Sequence, residues 1–201
     1  MDLRKKLLIA SSNPGKLREI HALLDDLGIT LVTPDDLIIS LEVEEDGATY
    51  AENASRKALA FARLSGLLTL ADDSGLEVDA LNGMPGLHSA RFSPLLKATD
   101  ADRRSYLLDK LKGRSQPWSA RFRCTVALAT PAGDVQLTEG VCRGEIIPTE
   151  RGRAGFGYDP IFLIPELGKT MAELTMEEKN RLSHRSRAVQ AARPLLVALL
   201  K

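Results

Sequence analysis

Residues 6–28 read KLLIASSNPGKLREIHALLDDLG. A short apolar run from Lys6 to Ala10 ends in a turn signal, Ser11-Ser12-Asn13-Pro14-Gly15. Leu17, Ile20, Leu23, Leu24 and Leu27 then recur at helical spacing, and Gly28 closes the helix. The alternation of strand and helix continues along the chain. Ile29 to Val32 reads as a strand, and Thr49-Tyr50-Ala51-Glu52 as a capping box. It opens a helix with Ala54, Ala58, Phe61 and Ala62 on its apolar face, ending near Gly66. Leu67 to Ala71 reads as a buried strand, Asp72-Asp73-Ser74-Gly75 as a turn, and Leu76 to Ala80 as a second strand.

Beyond a Gly/Pro loop at residues 82–86, Asp100 to Lys112 reads as a helix. Arg121 to Thr130 reads as a strand, Pro131 to Asp134 as a hairpin turn and Val135 to Thr138 as its return. Val141 to Ile147 continues the β region, and a long Gly/Arg loop runs from Thr149 to Pro160. Ile161 to Ile164 is a short strand, Thr175-Met176-Glu177-Glu178 a second capping box, and Arg185 to Leu200 the last helix, within which Pro194 is expected to start a new turn or make a kink. No repeat, linker or low-complexity tract interrupts the series. Strands and helices mixed throughout give an α/β class.

The chain has 201 residues, which suits one domain or one domain with a lobe. Twenty-seven Lys and Arg balance 27 Asp and Glu, which weakens any reading as a general nucleic-acid or membrane-surface binder. The longest apolar runs, such as Leu195 to Leu200, fall far short of the ~20 residues that span a bilayer. The start, Met1 to Lys6, is basic, but the following run from Leu7 to Ala10 is too short for a signal-peptide core. Cys124 and Cys142 lack ligand spacing and read as reduced hydrophobes, so the cytoplasm is the expected compartment.

Charge is nevertheless segregated. From Glu19 to Asn53 there is no Lys or Arg, whereas the last third is rich in both. A solvated face is the plain reading of the acidic stretch; a divalent-cation site is the sharper one. Four motifs carry chemistry. Ser11 to Lys16 offers hydroxyls, an amide and a cation at a helix N-terminus, where a phosphate binds well, although the Walker pattern is absent. Asp72-Asp73-Ser74-Gly75 follows a buried strand; Asp73 with Glu44 or Glu45 is enough protein for Mg²⁺, and an Asx turn is the structural alternative. In Gly155-Phe156-Gly157-Tyr158-Asp159-Pro160, glycines let the backbone approach a flat ligand, Phe156 can stack and Asp159 can accept hydrogen bonds. Lys179 with Ser183-His184-Arg185 forms a donor cluster suited to carbonyl or phosphate oxygens. No pattern fits acyl transfer or a dinucleotide fingerprint.

Six segments in order carry a resemblance: Ser12 to Glu19, Glu52-Asn53-Ala54, Ala71 to Leu76, Ser89 to Phe92, Gly155 to Pro160 and Ser183-His184-Arg185. Together they resemble the Ham1/RdgB-type non-canonical purine NTP pyrophosphatases, the inosine triphosphatase family, from about Ile9 to about Arg187. The resemblance implies one domain over residues 1–201: a long, twisted, mixed β-sheet flanked by helices, in two lobes with a central cleft. It implies a Mg²⁺-dependent homodimer that hydrolyses dITP, ITP and XTP to the nucleoside monophosphate and pyrophosphate. It implies that Ser11, Ser12, Asn13, Pro14, Gly15 and Lys16 hold the triphosphate and that Asp73 is the catalytic base beside the metal. Glu44 or Glu45 would help bind Mg²⁺, and Ser74 would contact substrate. Phe156, Gly157, Tyr158 and Asp159 would stack on and bond the base, and Lys179, His184 and Arg185 would complete the nucleotide site. The family's first loop often reads T-x-N; Ser11 replaces the Thr here and keeps the hydroxyl. Two other readings stay in view: a Maf-like pyrophosphatase acting on other nucleotides, and a non-catalytic nucleotide sensor.

Overall fold

The computed structural model describes residues 5–200, so the basic start at Met1 to Arg4 lies outside the described residues. The elements run β1 (Lys6–Ile9), α1 (Pro14–Leu24), β2 (Thr30–Val32), α2 (Tyr50–Ser65), β3 (Leu68–Val78), α3 (Asp100–Leu111), β4 (Trp118–Ala129), β5 (Val135–Ile146), β6 (Phe162–Ile164), β7 (Lys169–Thr170), α4 (Met176–Leu182) and α5 (His184–Leu199). Seven strands form one sheet in the order β2-β1-β3-β4-β5-β6-β7. β1 pairs parallel with β2 and β3, whereas β5–β6 and β6–β7 are antiparallel, so the sheet is mixed as expected. No described helix is long and apolar enough to cross a membrane.

The chain divides into two compact units. The first holds residues up to Asp73, 124–140 and 184 onward. Its strands bury both faces, so alternate residues serve different cores. Leu7, Ile9 and Leu70 join Ile20 and Leu24 of α1 and Val189, Ala192 and Leu196 of α5. Leu8, Ala10 and Ala71 meet Ala54, Ala58, Phe61 and Ala62 of α2. The second unit holds residues 74–123 and 141–183, around Leu76, Leu107, Leu111, Trp118, Phe122, Tyr158, Ile161 and Phe162.

Helix boundaries follow local chemistry. Asn13 caps α1, its Oδ1 accepting from the backbone N–H of Gly15 at 2.8 Å and Lys16 at 3.1 Å. Thr49 caps α2 by accepting from the Glu52 N–H, but the expected capping box is left open because the Glu52 carboxylate accepts from the Ala48 N–H instead; Gly66 ends the helix in the left-handed region. The capping boxes at Thr99 and Thr175 are fully formed.

Two expectations about element bounds change. Residues 72–75 are not a turn: β3 runs unbroken from Leu68 to Val78. Both aspartates find side-chain partners on the helices that flank the strand, so neither needs the local backbone bond that makes an Asx turn. As expected, the β region continues, and β5 runs through Gly140, where a Cβ would sit 2.1 Å from the His184 carbonyl oxygen. Close approach of α5, not a chain break, explains that glycine. Finally, α5 runs through Pro194 to Leu199. Proline removes one helical bond, while Leu195, Leu196 and Leu199 on the flanking turns pack into the core.

Candidate functional site

In the first unit, the strand period of two sends the neighbours Asp72 and Asp73 to opposite faces of β3. Asp72 is fully buried and its Oδ2 gathers cations. Lys16 Nζ lies 3.1 Å away and Arg185 Nε donates at 3.1 Å. Arg185 is itself 1% exposed and also donates through Nη1 to Glu19, a buried carboxylate on α1. Burial opposes ionisation of Asp72, but Lys16, Arg185 and Lys57 outweigh it and hold the carboxyl well below the usual carboxylate range. Cys124 Sγ approaches the same oxygen at 3.8 Å; burial and the Asp72 charge push its thiol up, so it stays protonated. The network fixes α1 and α5 against β3 and points the Lys16 ammonium at the strand.

Asp73 has a different setting. Asn53 of α2 donates from Nδ2 to Asp73 Oδ2 at 2.9 Å. Asn53 is held in turn by the Gly47 N–H, which donates to its Oδ1 at 2.8 Å. Burial pushes the Asp73 carboxyl above its ordinary value, with Glu45 adding like charge, against the lowering effects of Asn53, Lys16 and Lys57. Four residues beyond Asn53 on the same helix face, Lys57 pairs with Glu45. Burial opposes the Lys57 charge, but Asp72, Glu45 and Asp73 together raise its affinity for the proton. Glu45 is half-buried and acts on Asp73, whereas Glu44 is exposed.

The donor set fits Mg²⁺. Glu45 lies close enough to Asp73 for its like charge to help raise the Asp73 carboxyl. Mg²⁺ needs only one or two carboxylates, completing its shell with water and phosphate oxygens. Among the described residues no group of three or more His, Cys, Asp or Glu is gathered for a metal.

The phosphate-binding candidates occupy the β1–α1 corner. Four backbone donors there are engaged within the loop: Ser11 N–H bonds the Ile9 carbonyl, Asn13 N–H the Ser11 hydroxyl, and Gly15 and Lys16 N–H the Asn13 side chain. Pro14 has none to give. The side chains of Ser12 and Asn13 are exposed and that of Lys16 partly so, and they are open to a ligand at this corner.

In the second unit, the loop after β5 is built around Asp159. Its buried Oδ2 accepts from the Phe156 N–H at 3.0 Å and from Lys179 Nζ at 2.7 Å. The Lys179 ammonium also lies over the Phe156 ring, 5.2 Å from its centroid. Gly155 has φ +77°, and a Cβ there would sit 2.0 Å from Asp159 Oδ2, so only glycine admits this closure. Phe156 and Gly157 are half-buried, while Tyr158 is buried in the core and donates its hydroxyl to the Ser89 carbonyl at 2.9 Å. Tyr158 thus anchors the loop from below. Ser74 is half-buried on the second-unit end of β3.

The Ham1 family profile matches residues 7–195. The chain belongs to the Ham1 family. It is 48% identical over 192 residues to the dITP/XTP pyrophosphatase of Desulforamulus reducens, covering 95% of each chain. It is 49% identical to the dITP/XTP pyrophosphatase of Geobacter sulfurreducens, covering 92% of each. Among solved structures, a HAM1 protein from Coxiella burnetii superposes with a TM-score of 0.87 at 40% identity, over 96% of this chain and 99% of that one. The Staphylococcus aureus Ham1 protein gives a TM-score of 0.84 at 38% identity, over the same shares.

In this Ham1 chain the sequence candidates fall into two sets. Lys16, Asp73, Glu45, His184 and Arg185 belong to the first unit, and Ser74, Phe156, Gly157, Tyr158, Asp159 and Lys179 to the second. Arg185 is enclosed by Asp72 and Glu19, so it shapes the site from within. His184 is 5% exposed at the start of α5. Sequence reasoning assigned no role to Glu19, Asn53 or Lys57. Their signal was present: Asn53 and Lys57 flank the Ala54/Ala58 stripe at a spacing of four, two polar residues beside a buried face.

Proposed function

We propose that this chain hydrolyses dITP, ITP and XTP to the nucleoside monophosphate and pyrophosphate. One observation carries the reading: two adjacent aspartates whose environments push their proton affinities apart, beside a partly exposed lysine. Such a split assigns roles, because the group that stays ionised organises charge while the raised one moves protons. The relatives named dITP/XTP pyrophosphatase support the substrate class.

The side chains of Ser11, Ser12, Asn13 and Lys16 bind the triphosphate. Asp72, with Arg185 and Glu19, holds Lys16 in place. Asp73 is the general base: its carboxylate takes a proton from the water that attacks the α-phosphorus, and pyrophosphate leaves. Asn53 keeps that carboxylate oriented. Asp73 and Glu45 would hold Mg²⁺, which when bound supplies charge neutralisation to the phosphate oxygens. Lys57 adds a cation beside the same carboxylates.

The second unit serves the base. Phe156 offers a face for stacking, and Lys179, held by Asp159, donates toward a 6-oxo oxygen. An adenine 6-amino group in that position leaves a buried donor unpaired, and mismatches of this kind reject a substrate by roughly 10⁴- to 10⁵-fold. Ser74 and His184 contribute to the nucleotide contacts. The reading is completed by a cytoplasmic homodimer acting on free nucleotides, with neither nucleic acid nor membrane as partner.

Incubation with Mg²⁺ and ITP, XTP, dITP, GTP, ATP and UTP, with products resolved by chromatography, tests it. Pyrophosphate release with a preference for ITP, dITP and XTP is expected. Orthophosphate release, or equal turnover of every base, overturns the reading; faster UTP turnover favours a Maf-like activity.

A further inference from the structure

Gly157 follows Phe156 and sits in the left-handed region at φ +60°. Both of its backbone polar atoms are taken by side chains of α3, about fifty residues earlier in the chain. Its N–H donates to Asp100 Oδ2 at 2.8 Å, and its carbonyl accepts from Arg104 Nη1 at 2.9 Å. Arg104 is fixed by a fork on Glu150, Nε to Oε1 at 2.8 Å and Nη2 to Oε2 at 2.9 Å. Asp100 is fixed by Arg103, which also donates to the Ala98 carbonyl at 2.7 Å. On the other side of Phe156, Gly155 and Asp159 close the loop. The ring is therefore held between two separate clamps, and only the Asp159 clamp includes Lys179.

We propose that Asp100 and Arg104 are specificity-positioning residues, which set the Phe156 ring through Gly157 and so govern discrimination among purine bases. The inference rests on the assignment of the Phe156 loop to the base. A ring whose own backbone N–H and following residue are both pinned presents a fixed plane, and a displaced plane weakens stacking while leaving phosphate chemistry intact. Arginine suits this position because one planar guanidinium serves Glu150 and the Gly157 carbonyl together; the lysine ammonium cannot reproduce that fork.

The test compares kcat and KM for ITP and GTP in wild type, Arg104→Met, Arg104→Lys, Asp100→Asn and Asp100→Leu, with thermal unfolding of each. Arg104→Met is expected to lower the ITP-to-GTP ratio of kcat/KM by about tenfold, mainly through KM for ITP, since misplaced contacts cost specificity by this order. Arg104→Lys does not restore the ratio. Asp100→Asn keeps an acceptor for the Gly157 N–H and most of the discrimination, whereas Asp100→Leu loses it. In a Phe156→Ala background, Arg104→Met has no further effect on the ratio, because the two residues act in series. An unchanged ratio in Arg104→Met, an equal loss of kcat for both nucleotides, or additive effects of Arg104→Met and Phe156→Ala overturns the inference while leaving the function standing. A wild-type enzyme with no preference for ITP overturns the base-loop reading and this inference with it.

Discussion

On one face of β3, Asp72 is closed in by Lys16, Arg185 and Cys124, and Arg185 carries Glu19 as a second partner. On the other, Asp73 meets an amide, Asn53, with the Lys57–Glu45 pair nearby. The same side chain at adjacent positions thus becomes a fixed anion in one place and a carboxyl of raised proton affinity in the other. What differs is the compensation. Three cations, Lys16, Arg185 and Lys57, more than offset the desolvation of Asp72, whereas for Asp73 desolvation wins. Stability and reactivity are thereby separated by one residue of sequence.

Asp73→Asn breaks that comparison most sharply. Turnover is expected to fall by roughly 10²- to 10⁴-fold, the range for loss of a general base. The melting temperature should hold or rise. The sign follows from the raised carboxyl: between its unfolded and folded values the native state binds more protons, so stability grows as pH falls through that window and is lost as pH rises. Removing the charge relieves this cost. Near-normal turnover in Asp73→Asn, or a marked drop in melting temperature, contradicts the separation.

Asp72→Asn should do the opposite. Removing one member of a buried ion network typically costs about 3–5 kcal/mol, and urea unfolding measures it. Asp72 has a depressed carboxyl, so its stabilisation is present above the ordinary carboxylate range and declines as pH falls toward the lower folded value. Wild-type stability should therefore weaken in acid more than that of Asp72→Asn. Parallel stability curves for the two proteins count against the network.

Much of this was legible before any coordinates. The strand–turn–helix at residues 6–28, the caps at Thr49 and Thr175 and the aspartate pair all follow from local chemistry. The unbroken course of β3 did not. Asp-Asp-Ser-Gly has every mark of a turn, and only partners on α1, α2 and α5 keep it extended. Tertiary contacts overrode local propensity there. Arg185 was legible as a cation beside a histidine, but not as a buried one, because its burial depends on Glu19, more than 160 residues away. Gly155 illustrates the reverse: the glycine was plain, while the reason for it, an Asp159 oxygen in the space of a Cβ, is visible only in three dimensions.

Asn53→Ala probes the Asp73 face more gently. The Asn53 hydrogen bond favours the ionised carboxylate, so its loss raises the Asp73 proton affinity further. The acid limb of the kcat/KM profile, measured at saturating Mg²⁺, should move to higher pH, with little change on the alkaline side. A limb that stays in place shows that Asn53 does not set the state of the base.

The smallest effect separates the two glutamates. Glu45 is half-buried, pairs with Lys57 and raises Asp73 through like charge, whereas Glu44 points its charge into solvent without a resolved partner in that cluster. Glu45→Gln should raise the Mg²⁺ concentration needed for half-maximal activity by about tenfold, while saturating Mg²⁺ restores most of the rate. Glu44→Gln should leave the Mg²⁺ curve where it is. The same Glu45 variant removes a negative neighbour from Asp73, so its acid limb should move to lower pH, opposite in direction to Asn53→Ala. Opposed shifts from two residues on the same face would arise only if both act on one carboxylate. A Mg²⁺ requirement that follows Glu44 instead, or shifts of the same sign, places the metal and the base on different groups.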